Sequence, residues 1–435
     1  MTATSTGAPT AAPRGAAVRL PLTGAQLGVH HAQLLDPGSA AFTVGESVLL
    51  EGPLEGALLE AAARRVVAEV PALRAAVPTD QDDPAAPEQR IADALDWPFE
   101  HVDLTAEPDP EAAAAAWTAR RRALPLDPAR PPLFVQALLR TAPQRAHWVV
   151  LCHHVVLDAY GLSLVLRRTA EVLGALADGR PVPPSPFGDL RDVVAAERAY
   201  RAGDRFAADR EFWSRELAGA PEPVGFSDAA PAPAAGTHRV RADVDAGVLA
   251  GLDALAAGLG ATWAELVLTA ASVHLHRTTG ERDLLLAAPA MGRLGTPAAR
   301  VPAMVVNVLP LRLRVRPGDP VADVVAHVRD RLAAQRRHQR YRAEDIARDL
   351  RLGGRALALA EVNVKPFDGV LRVGGALGHV RNVAQGPVDD LAVSVLREPA
   401  GGLQVQVDAH DGRFSAAGAV SAAAAPGGYR FAHAL

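Results

Sequence analysis

Residues 151–161 constrain the fold of this chain more than any other segment. An apolar run ends at the adjacent His153 and His154, Asp158 follows, and a helix-period pattern then extends to about Leu176. An apolar run bounded in this way is typical of a buried strand, and apolar residues spaced three or four apart are typical of a helix. The sequence therefore predicts a strand–loop–helix junction that places two imidazoles and a carboxylate in buried surroundings.

The two histidines are expected to have different surroundings. Consecutive side chains of an extended segment point to opposite faces of a sheet, so His153 and His154 cannot readily bind one metal ion together. Asp158 either caps the following helix or forms an ion pair that fixes the loop. A buried imidazole beside a fixed carboxylate is the minimum needed to move a proton during acyl transfer. From these residues alone, a purely structural His-His-Asp cluster is equally open.

Composition limits the classes of partner. A chain of 435 residues is longer than one hydrophobic core usually holds, so two lobes are expected. The net charge of -4 gives no field that would favour nucleic acid or an anionic membrane, and neither is expected as a partner. No stretch is apolar enough for a signal peptide or a membrane span.

Cys152 is the only cysteine, so an internal disulfide is excluded, and a reducing cytoplasm is the expected location. Cys152 lies inside the predicted strand, where a small buried hydrophobe is favoured over a nucleophile. A single cysteine also leaves no zinc-binding set of ligands, and no metal site is expected.

The sequence predicts two α/β lobes, because strands and helices alternate in both halves. Residues 1–17 are predicted to be a disordered leader, 18–177 an N-terminal lobe, 178–188 a proline-dense linker, and 189–435 a C-terminal lobe. The tail over 416–435 is atypical, since it lacks an amphipathic closing helix.

Individual elements follow from the same periodicities. Strands are predicted at 42–50, 133–139, 238–244 and 284–288, and near 361–364, 370–373, 391–397 and 403–408. Helices are predicted at 54–70, 111–123, 189–217, 246–258, 261–277 and 320–339, and Thr23 is a predicted helix cap.

Seven segments occur in an order that is found in one family. They are Leu-Pro-Leu-Thr-Gly-Ala-Gln-Leu-Gly at 20–28, Pro-Leu-Asp-Pro at 125–128, His-His-Val-Val-Leu-Asp-Ala at 153–159, Phe-Trp at 212–213, Gly-Arg at 292–293 with Met304, Asn307 and Leu-Pro-Leu-Arg at 309–312, His-Gln-Arg-Tyr at 338–341 with Glu-Asp at 344–345, and Gly-Pro-Val-Asp-Asp-Leu at 386–391. Over residues 18–415 the chain resembles the condensation domains of nonribosomal peptide synthetases, in the chloramphenicol-acetyltransferase-like acyltransferase superfamily. The segment at 153–159 is similar to the family signature His-His-x-x-x-Asp-Gly, except at its last residue.

The resemblance implies a fold, a reaction and partners. Two chloramphenicol-acetyltransferase-like lobes would form a V with a tunnel between them. An amine or an alcohol would attack a thioester carried by a peptidyl or aminoacyl carrier protein, which forms an amide or an ester. No cofactor would be bound, since the partner carrier protein supplies the phosphopantetheine. The chain contains no adenylation or carrier segment, so it is expected either to be free-standing and to meet its carriers in trans, or to be a domain excised from a larger synthetase.

The resemblance also assigns roles to residues. His154 would lie at the centre of the tunnel, as a general base or as a group that positions the nucleophile, and His153 would be structural. Asp158 would pair with an arginine of the other lobe, for which Arg293 is the candidate.

Five further residues complete the expected site. Tyr160, Met304 and Asn307 would line the tunnel, and Gly161 belongs to the catalytic loop. Ala159 replaces the signature glycine. It keeps a backbone N–H that can stabilise an oxyanion, so the substitution is expected to be tolerated.

Two other functions stay open from the sequence. One is an acyltransferase that uses a soluble small-molecule amine or alcohol. The other is a catalytically silent recruitment module of the same fold.

Overall fold

The computed structural model of the chain describes residues 18–79, 83, 86–227, 229, 236–365, 369–397 and 401–423. The predicted leader over 1–17 lies outside these residues. The strands are β1 (Val18–Pro21), β2 (Thr43–Glu51), β3 (Ala75–Ala76), β4 (Glu88–Ile91), β5 (Phe99–Asp103), β6 (Phe134–Ala142), β7 (Arg145–His153), β8 (Thr237–Val244), β9 (Asp283–Ala290), β10 (Asn307–Arg314), β11 (Ala360–Lys365), β12 (Val370–Val373), β13 (Ala376–Gln385), β14 (Leu391–Arg397) and β15 (Leu403–His410). The helices are α1 (Gly24–Leu35), α2 (Gly56–Glu69), α3 (Pro110–Arg122), α4 (Ala159–Ala177), α5 (Leu190–Arg201), α6 (Asp204–Glu216), α7 (Ala246–Gly258), α8 (Trp263–Thr279), α9 (Val321–Arg337), α10 (Ala343–Asp349) and α11 (Ala416–Ala423).

The chain forms two compact units, and the first contains the histidine pair. It comprises the chain up to Glu197 together with 293–305 and 370–386. Its main sheet has six strands in the order β12-β13-β2-β7-β6-β5, with a small sheet β1-β4-β3 beside it. Strand β7 is interior, and its Trp148 and Val149 are fully buried. The apolar run before the histidines forms this strand because both of its faces are covered.

The second unit has its own sheet and core. Six strands run in the order β10-β9-β11-β14-β15-β8, with β11 parallel to both of its neighbours. Buried apolar side chains of α7, α8 and α9 form a core with this sheet, including Leu275, Val328 and Val395. Within the described ranges, no single helix is both long and apolar enough to cross a membrane. Only α7 and α8 taken together reach that length and apolarity, and they are bent by 99° at their junction.

Most predicted elements are present, and the differences have physical causes. The single helix predicted over 189–217 is two helices, α5 and α6, because Gly203 has an extended backbone and forms the N-cap of α6. Strands β10 and β13 were not predicted. The sequence of β13, with Gly378 and several polar residues, has no apolar run, and the strand exists because it pairs with β2 along its length.

The division into lobes also differs from the prediction. Residues 178–188 form no helix or strand, but the first unit continues to Glu197, within α5. The segments 293–305 and 370–386, predicted to belong to the C-terminal lobe, are part of the first unit. Pairing between β13 and β2 accounts for the second of these segments.

The end of the chain carries a short helix that the sequence did not predict. Helix α11 begins at Ala416 and packs on β8 and β15, with Ala419 fully buried. Residues 416–423 thus form a short helix, and the predicted lack of an amphipathic closing helix stays a prediction. The rest of the atypical tail, to 435, lies outside the described residues.

Candidate active site

Strand β7 fixes the backbone of both histidines. The His153 N–H donates to the carbonyl of Leu133 at 2.8 Å, and the His154 N–H donates to the carbonyl of Phe42 at 2.7 Å. The chain then turns, and the Val156 N–H donates back to the His153 carbonyl at 3.1 Å. The two imidazoles are thus held at the end of an interior strand, which is a rigid support for side-chain chemistry.

The His153 imidazole is buried and fully engaged. Its Nε2 lies 3.0 Å from Oε1 of Gln33, while its Nδ1 accepts the Val155 N–H at 3.0 Å. The Gln33 amide nitrogen donates to two backbone carbonyls, so Oε1 is the acceptor and His153 Nε2 carries the proton. Burial, reinforced by His154 and His30, lowers the pKa of His153 to about 3. These contacts agree with the structural role that the resemblance implied, and that role stays a prediction.

The lowered pKa of His153 leads to a prediction of how stability depends on pH. Its folded pKa of about 3 lies below the ordinary value of 6.5, so between these values the unfolded chain binds more protons. The free energy of unfolding should therefore fall as the pH drops from 6.5 towards 3. This residue contributes a slope of at most about 1.4 kcal/mol per pH unit.

A variant that cannot titrate isolates this effect. His153→Gln should fold and should flatten the pH dependence between pH 6 and 4, as measured by urea unfolding at each pH. Equal slopes for His153→Gln and the unaltered chain would contradict the assignment.

In His154 the ring proton is on Nδ1, whereas in His153 it is on Nε2. Its Nδ1 lies 3.0 Å from the carbonyl oxygen of Leu157, which can only accept, so Nδ1 carries the proton. Nε2 therefore has a free lone pair. Burial lowers the pKa of His154, and the charge of Asp158 opposes this only in part. A neutral, partly exposed imidazole with an unprotonated Nε2 is able to accept a proton.

Asp158 organises the loop around this imidazole. It is the N-cap of α4, where its Oδ1 accepts the Gly161 N–H at 2.7 Å. Nη2 of Arg293 donates to both carboxylate oxygens, at 2.7 and 2.8 Å, and the Val305 N–H donates to Oδ2 at 3.0 Å. The carboxylate therefore combines the cap and the ion pair that the sequence left as alternatives.

The ion pair lies within the first unit. Arg293 is fully buried, and its guanidinium also donates to the carbonyls of Ala298, Val301 and Ala303 at 2.6 to 2.9 Å. Because of these bonds residues 293–305 fold around the arginine. The prediction that Arg293 belongs to the other lobe is therefore wrong, although the pairing itself is present.

Ala159 fits its position without strain. It is the first residue of α4, and it is not among the described residues with a positive φ. Nothing in the described part of the chain accepts a hydrogen bond from its N–H, as is normal at the start of a helix. Gly161 packs closely instead. A β-carbon there would lie 3.0 Å from the Ala303 carbonyl oxygen, so the glycine permits close contact between α4 and residues 293–305.

The three residues predicted to line the tunnel contact other residues of the chain. Tyr160 donates from its hydroxyl to the Ala299 carbonyl at 3.4 Å, and the Arg293 guanidinium lies 4.9 Å from the centre of its ring. Met304 is buried in the first unit.

Asn307 belongs to the second unit, where its amide nitrogen donates to the Gln339 and Tyr341 carbonyls and its Oδ1 accepts the Ala343 N–H. These bonds engage both polar atoms of the Asn307 side chain. That Tyr160, Met304 and Asn307 line a substrate tunnel stays a prediction.

The Cys152 side chain is fully buried, and burial raises the pKa of its thiol, so it is a packing residue and a poor nucleophile. Among the described residues, no group of three or more His, Cys, Asp or Glu could hold a metal ion.

Three residues of the site were missed by the sequence reasoning. Gln33 fixes His153, and Gln26 donates from its amide to the Val155 carbonyl at 3.1 Å. A β-carbon at Gly386 would lie 3.0 Å from Cδ2 of His154. Gln26 and Gly386 fall in segments that resemble the family, and that was the only signal available for them.

A family model decides the classification. The model described as the condensation domain matches residues 17–369. The chain belongs to the condensation domain family. The predicted family and acyltransferase class are thereby confirmed, since condensation domains of nonribosomal peptide synthetases form amide bonds by acyl transfer. The predicted α/β fold is confirmed by the similar solved structures described below.

Similar proteins agree with this classification. The condensation domain is 44% identical over 395 residues to the isonitrile lipopeptide synthase of Streptomyces coeruleorubidus, covering 90% of this chain and 27% of the synthase. It is 35% identical over 392 residues to the dimodular nonribosomal peptide synthase of Bacillus subtilis, covering 89% of this chain and 16% of that protein. The chain thus spans about a quarter or less of the length of these two curated relatives.

Solved structures show the same fold. The first condensation domain of the calcium-dependent antibiotic synthetase, in complex with a substrate analogue, has a TM-score of 0.89 and 33% identity, covering 97% of this chain and 96% of that one. A variant of the starter condensation domain of rhizomide synthetase, in complex with C8-CoA and Leu-SNAC, has a TM-score of 0.86 and 31% identity, covering 93% and 92%.

Proposed function

We propose that this condensation domain joins an acyl thioester to an amine, with His154 as the group that accepts the amine proton. The amine nitrogen attacks the thioester carbon, a C–N bond forms, the C–S bond breaks, and the sulfur leaves as a thiolate. The proton taken from the amine passes through Nε2 of His154 to the leaving thiolate, so charge and atoms balance. No metal or bound cofactor enters these steps.

The observation that supports this role is the proton arrangement of His154. The Leu157 carbonyl holds the proton on Nδ1 and leaves Nε2 as an acceptor. The lowered pKa keeps the ring neutral at neutral pH, which a general base requires. An acceptor at this place can also position the nucleophile by a hydrogen bond without taking its proton.

The donor that we propose is an acyl group on the phosphopantetheine arm of a carrier protein acting in trans. Two findings support a thioester donor. The similar rhizomide domain has been solved with C8-CoA, an acyl thioester of the same pantetheine chemistry. The relative with 44% identity is a lipopeptide synthase, which makes a fatty acyl donor the first to test. We place the reaction in the cytoplasm, where the free Cys152 thiol stays reduced.

A reconstitution assay tests the proposal. The purified chain is mixed with octanoyl-loaded carrier protein, octanoyl-CoA or octanoyl-pantetheine, each with a panel of amino acids, their thioesters and amino alcohols, and products are identified by mass spectrometry. We expect an amide product that requires both the chain and the loaded carrier protein. Product from free thioesters and soluble amines alone would favour a small-molecule acyltransferase, and ester products would identify an alcohol acceptor. A folded chain that is inactive with every pair would contradict the proposal and favour a silent recruitment module.

A further inference from the structure

Gly386 lies against the edge of the His154 ring that carries Nε2. It follows β13, at the end of the segment that pairs with β2 in the first unit. A β-carbon built on Gly386 would lie 3.0 Å from Cδ2 and 3.5 Å from Nε2 of His154, and 3.6 Å from Cγ1 of Val44. The first of these distances is shorter than normal carbon–carbon contacts. Any side chain at this position would therefore displace the imidazole or cover its acceptor atom.

The backbone at this position also selects glycine. Gly386 has a φ of +98°, in a region that residues with a β-carbon rarely adopt. Space and backbone conformation thus both favour the absence of a side chain, and the atom that an added β-carbon would approach most closely belongs to the imidazole.

The ring of His154 is bonded at one edge and borders the Gly386 position at the other. The Leu157 carbonyl binds Nδ1, and the point that a Gly386 β-carbon would occupy lies beside Cδ2 and Nε2. A ring turned about its Cβ–Cγ bond would lose the Nδ1 hydrogen bond. We propose that Gly386 is a positioning residue, which holds the His154 imidazole in place and leaves Nε2 open to the reacting amine. The expected effect of Gly386 on the rate rests on the proposed function, whereas its expected effect on the position of the ring does not.

The test combines kinetics with a direct measurement on the ring. Gly386→Ala is expected to lower kcat about 100-fold, since small misplacements of a catalytic group have effects of this size. KM for the thioester donor should change less than about threefold, because the proposed effect of Gly386 is on the imidazole. In ¹⁵N-histidine-labelled protein, the ring nitrogen signals of His154 should shift while those of His153 stay in place.

Gly374→Ala is the matched control. Gly374 lies between β12 and β13, has a φ of +62°, and its added β-carbon would make only an ordinary 3.4 Å contact with the Leu173 side chain. It also has a positive φ, although one that other residues adopt more readily, and its added β-carbon would not approach His154, so the kcat and His154 signals of Gly374→Ala should match those of the unaltered chain. If Gly386→Ala does not fold, Gly386→Asn replaces it, since asparagine tolerates positive φ and places a β-carbon at the same point.

The outcomes separate this inference from the proposed function. Unchanged His154 signals, or an unchanged kcat in a domain that loses activity in His154→Ala, would overturn the role of Gly386. Full activity of His154→Ala would instead overturn the proposed function, and the ring signals would still decide whether Gly386 positions the imidazole.

Discussion

His154→Ala is expected to reduce the rate of amide formation by about 10²–10⁴-fold, the range that general acid–base catalysis contributes. Among the residues that the structure describes, the side chain makes one polar contact, with the Leu157 carbonyl, and its ring is partly exposed. The free energy of unfolding should therefore fall by no more than about 1 kcal/mol. Product formation by mass spectrometry and urea unfolding measure the two effects on the same preparation.

His147→Ala is the matched control for this substitution. His147 lies on the same strand, β7, and its Nε2 bonds to Glu111 and not to any residue of the site. Its removal should change the rate less than about twofold, as expected for a substitution away from the chemistry. Wild-type turnover by folded His154→Ala would contradict proton transfer by His154.

A further variant separates a base from a positioning group. His154→Gln keeps a hydrogen-bond acceptor but cannot take up a proton near neutral pH. If His154 is a base, this variant stays inactive, and the unaltered enzyme loses kcat/KM as the pH falls through the His154 pKa, which burial places below 6.5. Substantial activity in His154→Gln, without that acidic limb, would identify positioning as the main role.

Asp158→Ala is expected to have the largest effect on stability, a loss of about 3–5 kcal/mol in the free energy of unfolding. The substitution leaves the Arg293 guanidinium fully buried without its counter-charge. It also removes the acceptor for two backbone N–H groups, those of Gly161 and Val305. Urea unfolding, followed by the fluorescence of Trp148 and the other tryptophans, measures the loss.

The aspartate at the opposite end of α4 provides the control. Asp178 follows the C-terminal end of α4 and pairs with Arg180 on the surface, where both side chains are about 60% exposed. Asp178→Ala should change stability by less than about 0.5 kcal/mol, because exposed ion pairs contribute little. Asp158→Asn should lie between the two, since it keeps the helix cap but loses the charge. A loss below about 1 kcal/mol in Asp158→Ala would show that Arg293 finds another partner or solvent.

The sequence predicted the parts of the site that depend on local spacing. The strand before His153, the helix after Asp158 and the cap at its start follow from periodicity and short-range chemistry, and the structure contains them. The family resemblance added Arg293 as the partner of Asp158. That partner is distant in sequence, so no local pattern could have identified it.

The proton arrangement of the histidines could not be predicted, because it depends on distant acceptors. Gln33 is 120 positions away from His153, and its own amide is oriented by the carbonyls of Asp36 and Ser39, which follow α1. The placement of residues 293–305 was wrong for a similar reason. The guanidinium of Arg293 organises that loop through carbonyls that have no side-chain signature.

The pairing of β13 with β2 has a consequence for synthesis of the chain. Asn382 of β13 bonds to the carbonyl of Gly45, which lies 337 positions earlier in the chain. The sheet that carries the histidines therefore stays incomplete until β13 has left the ribosome, and until then strand β2 has an unpaired edge. A fragment that ends at residue 188 lacks two of the six strands of this sheet. Dissection of the protein into independently folding halves would accordingly have to keep residues 370–386 with the N-terminal part.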